Sequence, residues 1–492
     1  SYSFEDKTKN CLSNHRGLLM NVLFVYNDIE GMKNYHGYIY LGIGYLASFL
    51  KKEGINVELL HVTKPLSKEE FIGRLPKKRV DLVAFTATTN RFPLITEWAN
   101  WTKESRETIT ICGGPHPTLQ PNDSLNSCGL DMICIGEGER ALLELSKRIA
   151  NGDDVSGVNN IWTKKNGLMQ TTPIGPLIED LDSLPIPDRE LFDFEQRSEG
   201  REKTCRIIAI RGCPYNCTYC CNHSIKNIYP NKNNYVRYRS VANVIEELKI
   251  LRNRYPFIES FNFIDDILPL NKKWFLEFVQ QYKKEISIPY ICHCFPLLID
   301  RETVKLLKES NCIQVQIGIE SGNEYNRKIV LNRKVSNERL VNAFHLCREF
   351  GIRTYAYNML GIPYETKEQM LETLKLNALC GIEVSQTSIF YPYQGTELYN
   401  ISRDSNLITA RNLETYFSDT QLNFKEDERI FINFMCKYFK YLLMIYIRIN
   451  NLPSFAARFF TILLDGIILY KHTSGIALKL MPFLQKMKEL SK

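Results

Sequence analysis

At 492 residues, 44% hydrophobic and 24% charged, the chain is long enough for several globular domains and too apolar to stay disordered. Its net charge of +7 is concentrated at one end: between Lys425 and Lys492 eleven Lys/Arg face five Asp/Glu, and the rest is nearly neutral. That distribution argues against a nucleic-acid partner, which needs a basic stripe on the main folded body.

Residues 1–19 read as a tail without the apolar segment of a secretory signal. No apolar run reaches membrane-spanning length; the longest candidate, Phe459 to Tyr470, carries Asp465 in its middle. The expected compartment is cytoplasmic. There the fifteen cysteines are mostly reduced, so clustered ones signal metal or redox sites before disulfides.

From 20 to 154 short apolar runs alternate with amphipathic stretches. The runs are "MNVLFVY" (20–26), "INVELLHV" (55–62), "DLVAFTA" (81–87), "TITIC" (108–112) and "DMICI" (131–135). Five strands alternating with helices predict a parallel, doubly wound α/β sheet with its ligand beyond the carboxyl ends of the strands. Small and glycine-rich loops follow the third, fourth and fifth strands: "TATTN", "GGPHP" (113–117) and "GEGE" (136–139). Such loops let a backbone approach a bulky ligand, although turns alone also use glycine. The first loop has no GxGxxG, against an ordinary dinucleotide fold.

Residues 155–200, with "DLDSLPIPD" (180–188), read as an extended linker. A second α/β series fills 201–400, with strands in "RIIAI", "SFNFI", "IQVQIGI", "YAYNML" and "QTSIFY". Repeated βα units predict a full or partial barrel with its active site at the C-terminal strand ends. Residues 401–492 are helical in periodicity, aromatic-rich and basic. Phe431, Phe434, Tyr438, Tyr441 and Leu442 recur at helical spacing among lysines, a pattern shared by a cap over the barrel mouth and an interfacial membrane helix.

The most specific signal is "RGCPYNCTYCCN" (211–222), which directly follows a predicted strand. Cys213, Cys217 and Cys220 form a CxxxCxxC loop, enough thiolates for three irons of a cubane iron-sulfur cluster, with the fourth iron open to a substrate or cofactor. Structural zinc usually closes with four ligands in two separated pairs, and no second CxxC follows. Cys221 is too close to Cys220 for comfortable tetrahedral ligation and reads as a bystander. Cys292 and Cys294 alternate on a strand-like run, either lining the barrel or as small buried residues.

"RGCPYNCTYC" resembles the signature of the radical S-adenosylmethionine enzymes. The domain order, over Met20 to Tyr399, resembles the subfamily with an N-terminal cobalamin-binding domain. The resemblance implies that Cys213, Cys217 and Cys220 hold a 4Fe-4S cluster whose open iron takes the methionine end of S-adenosylmethionine. It places Tyr219 near the adenine, Asp265 and Asp266 of "FIDDIL" at the methionine amine, and Glu320 and Ser321 of "GIESG" (318–322) at the ribose or amine. Gly361 and Pro363 of "LGIPYET" would shape the adenine pocket. In the first domain it implies cobalamin contacts from Thr86, Thr88, Gly113, Gly114, Gly136, Glu137 and Gly138. The DxHxxG cobalt-ligand pattern is absent. His36 in the first loop reads as a loop residue, which implies cobalamin bound without a histidine ligand. A second departure is Phe295, near the place where related sequences often carry an arginine.

The implied activity is cobalamin-dependent methylation of an unactivated, most often sp3, carbon. One S-adenosylmethionine would methylate cobalamin; a second would yield the 5′-deoxyadenosyl radical that abstracts hydrogen, after which the substrate radical takes methyl from methylcobalamin. An external electron donor of flavodoxin or ferredoxin type is implied. The basic helical end adds the expectation of a small-molecule or lipid-like substrate and of peripheral contact with the inner membrane face. Relatives of this order that cyclise or rearrange tetrapyrrole or lipid-like substrates are the first alternative. A methylthiotransferase would need a second cysteine set, which Cys112, Cys128 and Cys134 do not evidently form. A non-catalytic iron-sulfur sensing module is the alternative outside enzymes.

Overall fold

The computed structural model describes residues 20–30, 35–165, 167–409, 411 and 415–469. The predicted tail 1–19 and the end of the chain from 470 lie outside the described residues. The chain divides into two compact units, one of residues 1–214 and 221–261, the other of residues 215–220 and 262–492.

The first unit is built on strands β1 (Asn21–Asn27), β2 (Asn56–Val62), β3 (Leu82–Thr86), β4 (Ile109–Gly113) and β5 (Met132–Cys134). Each falls within a residue of an expected run. β-Branched and aromatic residues in short stretches bounded by Gly, Asp or Lys suit strands covered on both faces. The sheet order is β2-β1-β3-β4-β5, parallel throughout, with Val22 opposite Val57 on one side and Leu82 on the other. Helix α1 (Leu41–Lys52) buries Leu41, Ile43, Tyr45 and Leu50, and Gly54, at φ +79°, ends it as the sequence suggested. Helix α2 (Lys68–Arg74) opens on a capping box between Ser67 and Glu70. Its Phe71 stacks on Trp98 of α3 (Phe92–Ser105) at 5.3 Å in the core on one side of the sheet.

One expectation is corrected here. Within 155–200, read as linker, Ile161–Lys165 (β6) and Leu168–Gln170 (β7) form a hairpin that adds antiparallel to β5 and extends the sheet to seven strands. Ile161 and Thr163 are buried, whereas Leu168, Met169 and Gln170 are exposed, so the pattern is that of a half-covered edge rather than a buried strand. The run "RIIAI" is likewise two short strands, β8 (Thr204–Ile207) and β9 (Ile210–Arg211). Among its further helices are α4 (Cys221–Ile228) and α5 (Val241–Arg254, capped by Ser240).

In the second unit β11 (Ser260–Phe263, of which Asn262 and Phe263 belong to this unit), β12 (Tyr290–His293), β13 (Cys312–Glu320), β14 (Arg353–Leu360) and β15 (Val384–Ile389) lie side by side in chain order. β12 to β15 pair in parallel; the two-residue β10 (Arg237–Tyr238) pairs with β9 in the first unit. Helices α6 (Lys272–Glu285), α7 (Arg301–Glu309), α8 (Asn337–Glu349) and α9 (Lys367–Cys380) connect them, each opened by a side-chain cap from Asn271, Asp300, Ser336 or Thr366. Sequential parallel order with helical crossovers is the partial barrel expected. Cys292 and Cys294 are buried beside Cys312, with sulfur separations of 3.9 and 4.0 Å from Cys292. Burial pushes the Cys292 thiol well up, which makes it an inert core group.

The chain ends, within the described residues, in α10 (Glu397–Asp404), α11 (Glu426–Asn450) and α12 (Ser454–Leu469). Helix α11 corrects the reading that no run has spanning length: by length and composition it passes for a membrane span. Its Phe431, Met435, Phe439 and Leu442 are buried, and it packs on α9 and β15. The apolarity is that of a core helix.

Candidate active site

In the first unit the sheet order reverses between β1 and β3, the switch point where doubly wound sheets take ligands. A cavity of about 240 Å³ opens there, lined by Thr86 at the end of β3, Gly113 and Gly114 at the end of β4, and Gly136, Glu137 and Gly138 after β5. Tyr40, Leu46 and Arg211 also line it. Six of the seven residues expected to meet cobalamin therefore gather on one cavity. Thr88 does not: it is exposed, and its carbonyl accepts from the N–H groups of Arg91 and Phe92 to start α3. Two residues along the chain turn Thr88 away from the wall that Thr86 lines.

Two of the glycines sit where the loops pack too closely on their neighbours for a side chain. Gly114 has φ +98°, and a Cβ there would lie 2.7 Å from Thr86 Oγ1 and 3.0 Å from the Ala87 carbonyl. Gly136 has φ +78°, and its Cβ would meet Tyr229 Oη. Glu137 is held by Arg211 at 3.2 Å and Arg237 at 2.8 Å, and it accepts from Ile178 N–H at 2.8 Å. The two guanidiniums outweigh its burial and hold its carboxyl below the usual range. It fixes the loop rather than offering a free charge. Glycine backbone along a cavity at the switch point admits the close approach that the nucleotide tail of a cobalamin requires. His36 does not line the cavity; its carbonyl accepts from Arg197 at 3.2 Å. Tyr40, which sequence reasoning missed, presents its ring there with its hydroxyl bonded to Thr86 and its face stacked on Tyr26 at 5.4 Å.

Cys213 follows Gly212, whose φ of +90° and close approach to the Tyr235 carbonyl admit no side chain. Cys221 is the first residue of α4. In the second unit the segment 215–220 is strapped down by Thr218, whose N–H and Oγ1 donate to the Leu331 and Val330 carbonyls at 3.2 and 2.7 Å. Its carbonyl accepts from Leu398 N–H at 2.8 Å, and Asn332 Nδ2 donates to the Asn216 carbonyl at 2.8 Å. A turn from Cys220 N–H to the Cys217 carbonyl, 3.1 Å, fixes these two cysteines relative to each other.

Around Cys217 the groups are charged and enclosed. The guanidinium of Arg333, 7% exposed, hydrogen-bonds to the Cys217 sulfur and donates from Nη2 to the Gly318 carbonyl at 2.8 Å. Its plane lies 4.5 Å over the ring of Phe295, on which Tyr215 also stacks at 3.8 Å. Thus an arginine does reach Phe295, from a different element. Nothing in the sequence marked it. Arg333 Nε is buried without a hydrogen-bond partner. Burial pushes the Cys217 thiol up, against the pull of Arg333. A buried cation beside a thiol fits an anionic thiolate cluster.

Among the described residues no three His, Cys, Asp or Glu side chains converge on a point fit for a single metal ion. Three thiolates on the separate irons of a cubane stand farther apart than three on one ion, so a cluster needs no such convergence.

Glu320 ends β13 at a bulge and takes φ +67°, a left-handed conformation rare for a residue with a side chain. Burial pushes its carboxyl up, opposed by Arg333 and a hydrogen bond from Tyr219. Tyr219 packs on Leu331, Ile362 and Phe390. Asp265 is 2% exposed, whereas Asp266 faces solvent, so the structure separates the two candidates by one step along the chain. His293 Nδ1 lies 3.1 Å from the Asp265 carbonyl oxygen. Ser321 is fully buried, its Oγ 3.5 Å from Glu365 Oε1, and Glu365 Oε2 accepts from Gly361 N–H at 2.7 Å.

Glu365 was also missed. It clamps the Gly361 loop, which has φ +71°, onto the end of β13. Burial pushes its carboxyl up to about 8, with backbone donors at Gly361 and Ile362 pulling the other way. The folded chain thus keeps a proton that the unfolded chain releases near 4.5. This group makes stability fall as pH rises from about 4.5 to about 8, with no further change above. Thermal melts of Glu365→Gln across that window should show a shallower decline than the parent. Identical slopes would place the proton elsewhere.

The chain matches the model of the B12 binding domain over residues 36–146 and that of the radical SAM superfamily over 207–376. It is 28% identical over 380 residues, 76% of this chain and 81% of the other, to an uncharacterised methyltransferase of Pyrococcus horikoshii. It is 25% identical over 370 residues, 73% of this chain and 65% of the other, to the anaerobic magnesium-protoporphyrin IX monomethyl ester cyclase of Rubrivivax gelatinosus. The fold is shared with the radical S-adenosylmethionine methyltransferase TsrM of Kitasatospora setae, solved with cobalamin and a 4Fe-4S cluster. The TM-score is 0.64, with 17% identity over 80% of each chain. The cofactors are therefore a 4Fe-4S cluster, S-adenosylmethionine and cobalamin. With both domains matched, a glycine-lined cavity at the switch point of the first and the Cys213, Cys217, Cys220 motif in the second, the chain belongs to the radical S-adenosylmethionine superfamily, in the branch that carries an N-terminal B12-binding domain.

Proposed function

We propose that the protein is a cobalamin-dependent radical S-adenosylmethionine methylase that transfers a methyl group to an unactivated carbon of a small-molecule or lipid-like substrate. The observation that carries this reading is the presence in one chain of the glycine-walled cavity and the Cys213, Cys217, Cys220 loop. When bound, the cluster and S-adenosylmethionine supply hydrogen abstraction and cobalamin supplies the methyl group.

The chain's own residues do the rest. Cys213, Cys217 and Cys220 hold the cluster. Arg333 balances its charge at Cys217 and offers a buried cation to the methionine carboxylate. Tyr219 forms an apolar wall with Ile362 and Phe390, which excludes water from the reacting atoms. Glu320, Ser321 and Asp265 supply polar groups for the amine and ribose, and Glu365 keeps Gly361 in place. Thr86, Gly113, Gly114, Gly136 and Gly138 seat the cobalamin tail, with Tyr40 as an aromatic wall. An external donor of flavodoxin or ferredoxin type provides electrons. We place the enzyme in the cytoplasm, meeting a membrane peripherally through its C-terminal helices.

The likeness to the cyclase supports a second reading, ring formation without methyl transfer. Methyl-labelled S-adenosylmethionine, given anaerobically to reconstituted protein with reductant and cobalamin, separates the two. We expect label in the protein-bound cobalamin. If 5′-deoxyadenosine forms and the cobalamin stays unlabelled, the cyclase reading replaces ours.

A further inference from the structure

Helix α12 is apolar on its outside. Phe455 is 87% exposed, Phe459 57%, Ile462 64% and Leu463 50%. Their spacing of four, three and one residues places them on one face of a helix, and a Cβ on Gly466, of the same face, would meet nothing. The opposite face is fixed to the second unit. Asp465 accepts from Lys375 of α9 at 2.8 Å and from the Tyr446 hydroxyl of α11 at 2.6 Å, and Ile468 is buried. This anchoring sets the rotation of the helix, so the apolar stripe is held outward. The helix's only acid is spent on the inner side.

Two further facts identify what the stripe meets. An inner face anchored to α9 and α11 through Asp465 cannot enter the hydrocarbon core, so the described helix can lie in an interface but cannot cross. The charge that goes with the stripe in sequence is positive: Arg458 is exposed on α12, and the sequence from 470 to 492 holds five lysines against Glu489 alone. An apolar face with exposed Arg458 on its helix and a basic sequence after it is complementary to acyl chains under anionic headgroups. We propose that the outward face of α12, through Phe455, Phe459, Ile462 and Leu463, docks the enzyme on an anionic lipid surface. The proposal gives the peripheral membrane contact a face and a lipid charge, and it is independent of whether the chemistry is methylation or cyclisation.

The test is flotation of the full chain with vesicles of phosphatidylglycerol and phosphatidylcholine in equal amounts, and with phosphatidylcholine alone. The parent should float with the anionic vesicles and markedly less with the neutral ones, and raised salt should reduce binding severalfold. The double variant Phe455→Asp and Phe459→Asp should bind at least about tenfold less, because two large side chains lose their apolar contact and two negative charges face the lipid. Its circular dichroism and release of 5′-deoxyadenosine should match the parent, since neither residue belongs to the cofactor sites. A parent that stays at the bottom with both vesicles overturns the proposal, as does a variant that floats like the parent. So does a parent dimer in light scattering that the variant abolishes without any lipid dependence, which would make the face a contact between copies.

Discussion

Replacing Cys217 with alanine should remove the cluster and with it all cleavage of S-adenosylmethionine, to the level of protein that was never reconstituted. Cys213→Ala and Cys220→Ala should do the same, whereas Cys221→Ala should keep both iron and turnover. A cubane held by three thiolates loses one iron's anchor with each of them, so the single losses should be as complete as the triple loss. Cys221 provides the internal control because it opens α4 one residue past the loop. Iron content and the visible absorption of the reconstituted proteins give the measurement independently of turnover. A Cys221→Ala protein without iron, beside a Cys220→Ala protein that retains it, would reassign the third ligand and shift the motif by one.

The second large effect belongs to Arg333. Charge-assisted hydrogen bonds contribute about 1.5–3 kcal/mol, so Arg333→Met should weaken S-adenosylmethionine binding by about 10- to 100-fold. Arg333→Lys should recover only part of that, because a lysine keeps the charge but not the planar group that lies on Phe295. Equilibrium dialysis with labelled S-adenosylmethionine reads the affinity, and iron content read alongside separates it from loss of the cluster at Cys217. Unchanged affinity in a methionine variant with full iron would confine Arg333 to a role in packing.

Much of this was legible in the chain because the signals are local. The cysteine loop is ten residues long, and its chemistry depends on spacing alone. The strands of the first sheet announce themselves as short β-branched runs, and the glycines at their ends lie where a switch-point cavity needs backbone without side chains. What sequence reasoning missed is set by contacts between distant residues. Arg333 lies after the "GIESG" strand, in a stretch that looks like any basic loop, and gains its meaning only from Phe295 and Cys217. Glu365 resembles a helix-capping acid until its carboxylate is found under the Gly361 N–H. Tyr40 precedes a helix and reads as an ordinary aromatic.

Pairs of like residues were the other weak point. Thr86 and Thr88, or Asp265 and Asp266, are equivalent in composition, yet strand ends and turns send one of each pair inward and the other to solvent. The hairpin at 161–170 was misread because Lys164, Lys165 and Asn166 are what both loops and solvent-facing edge strands contain.

That hairpin bears on how the protein keeps to itself. A parallel sheet ending at β5 would present a row of unpaired backbone donors and acceptors, an invitation for another chain to add on. Here β6 takes up that row in antiparallel sense, and the outermost strand, β7, is only three residues long, with all three exposed. So short a border offers a newcomer few bonds to form, and recruitment of a neighbouring molecule onto this edge of the sheet is discouraged.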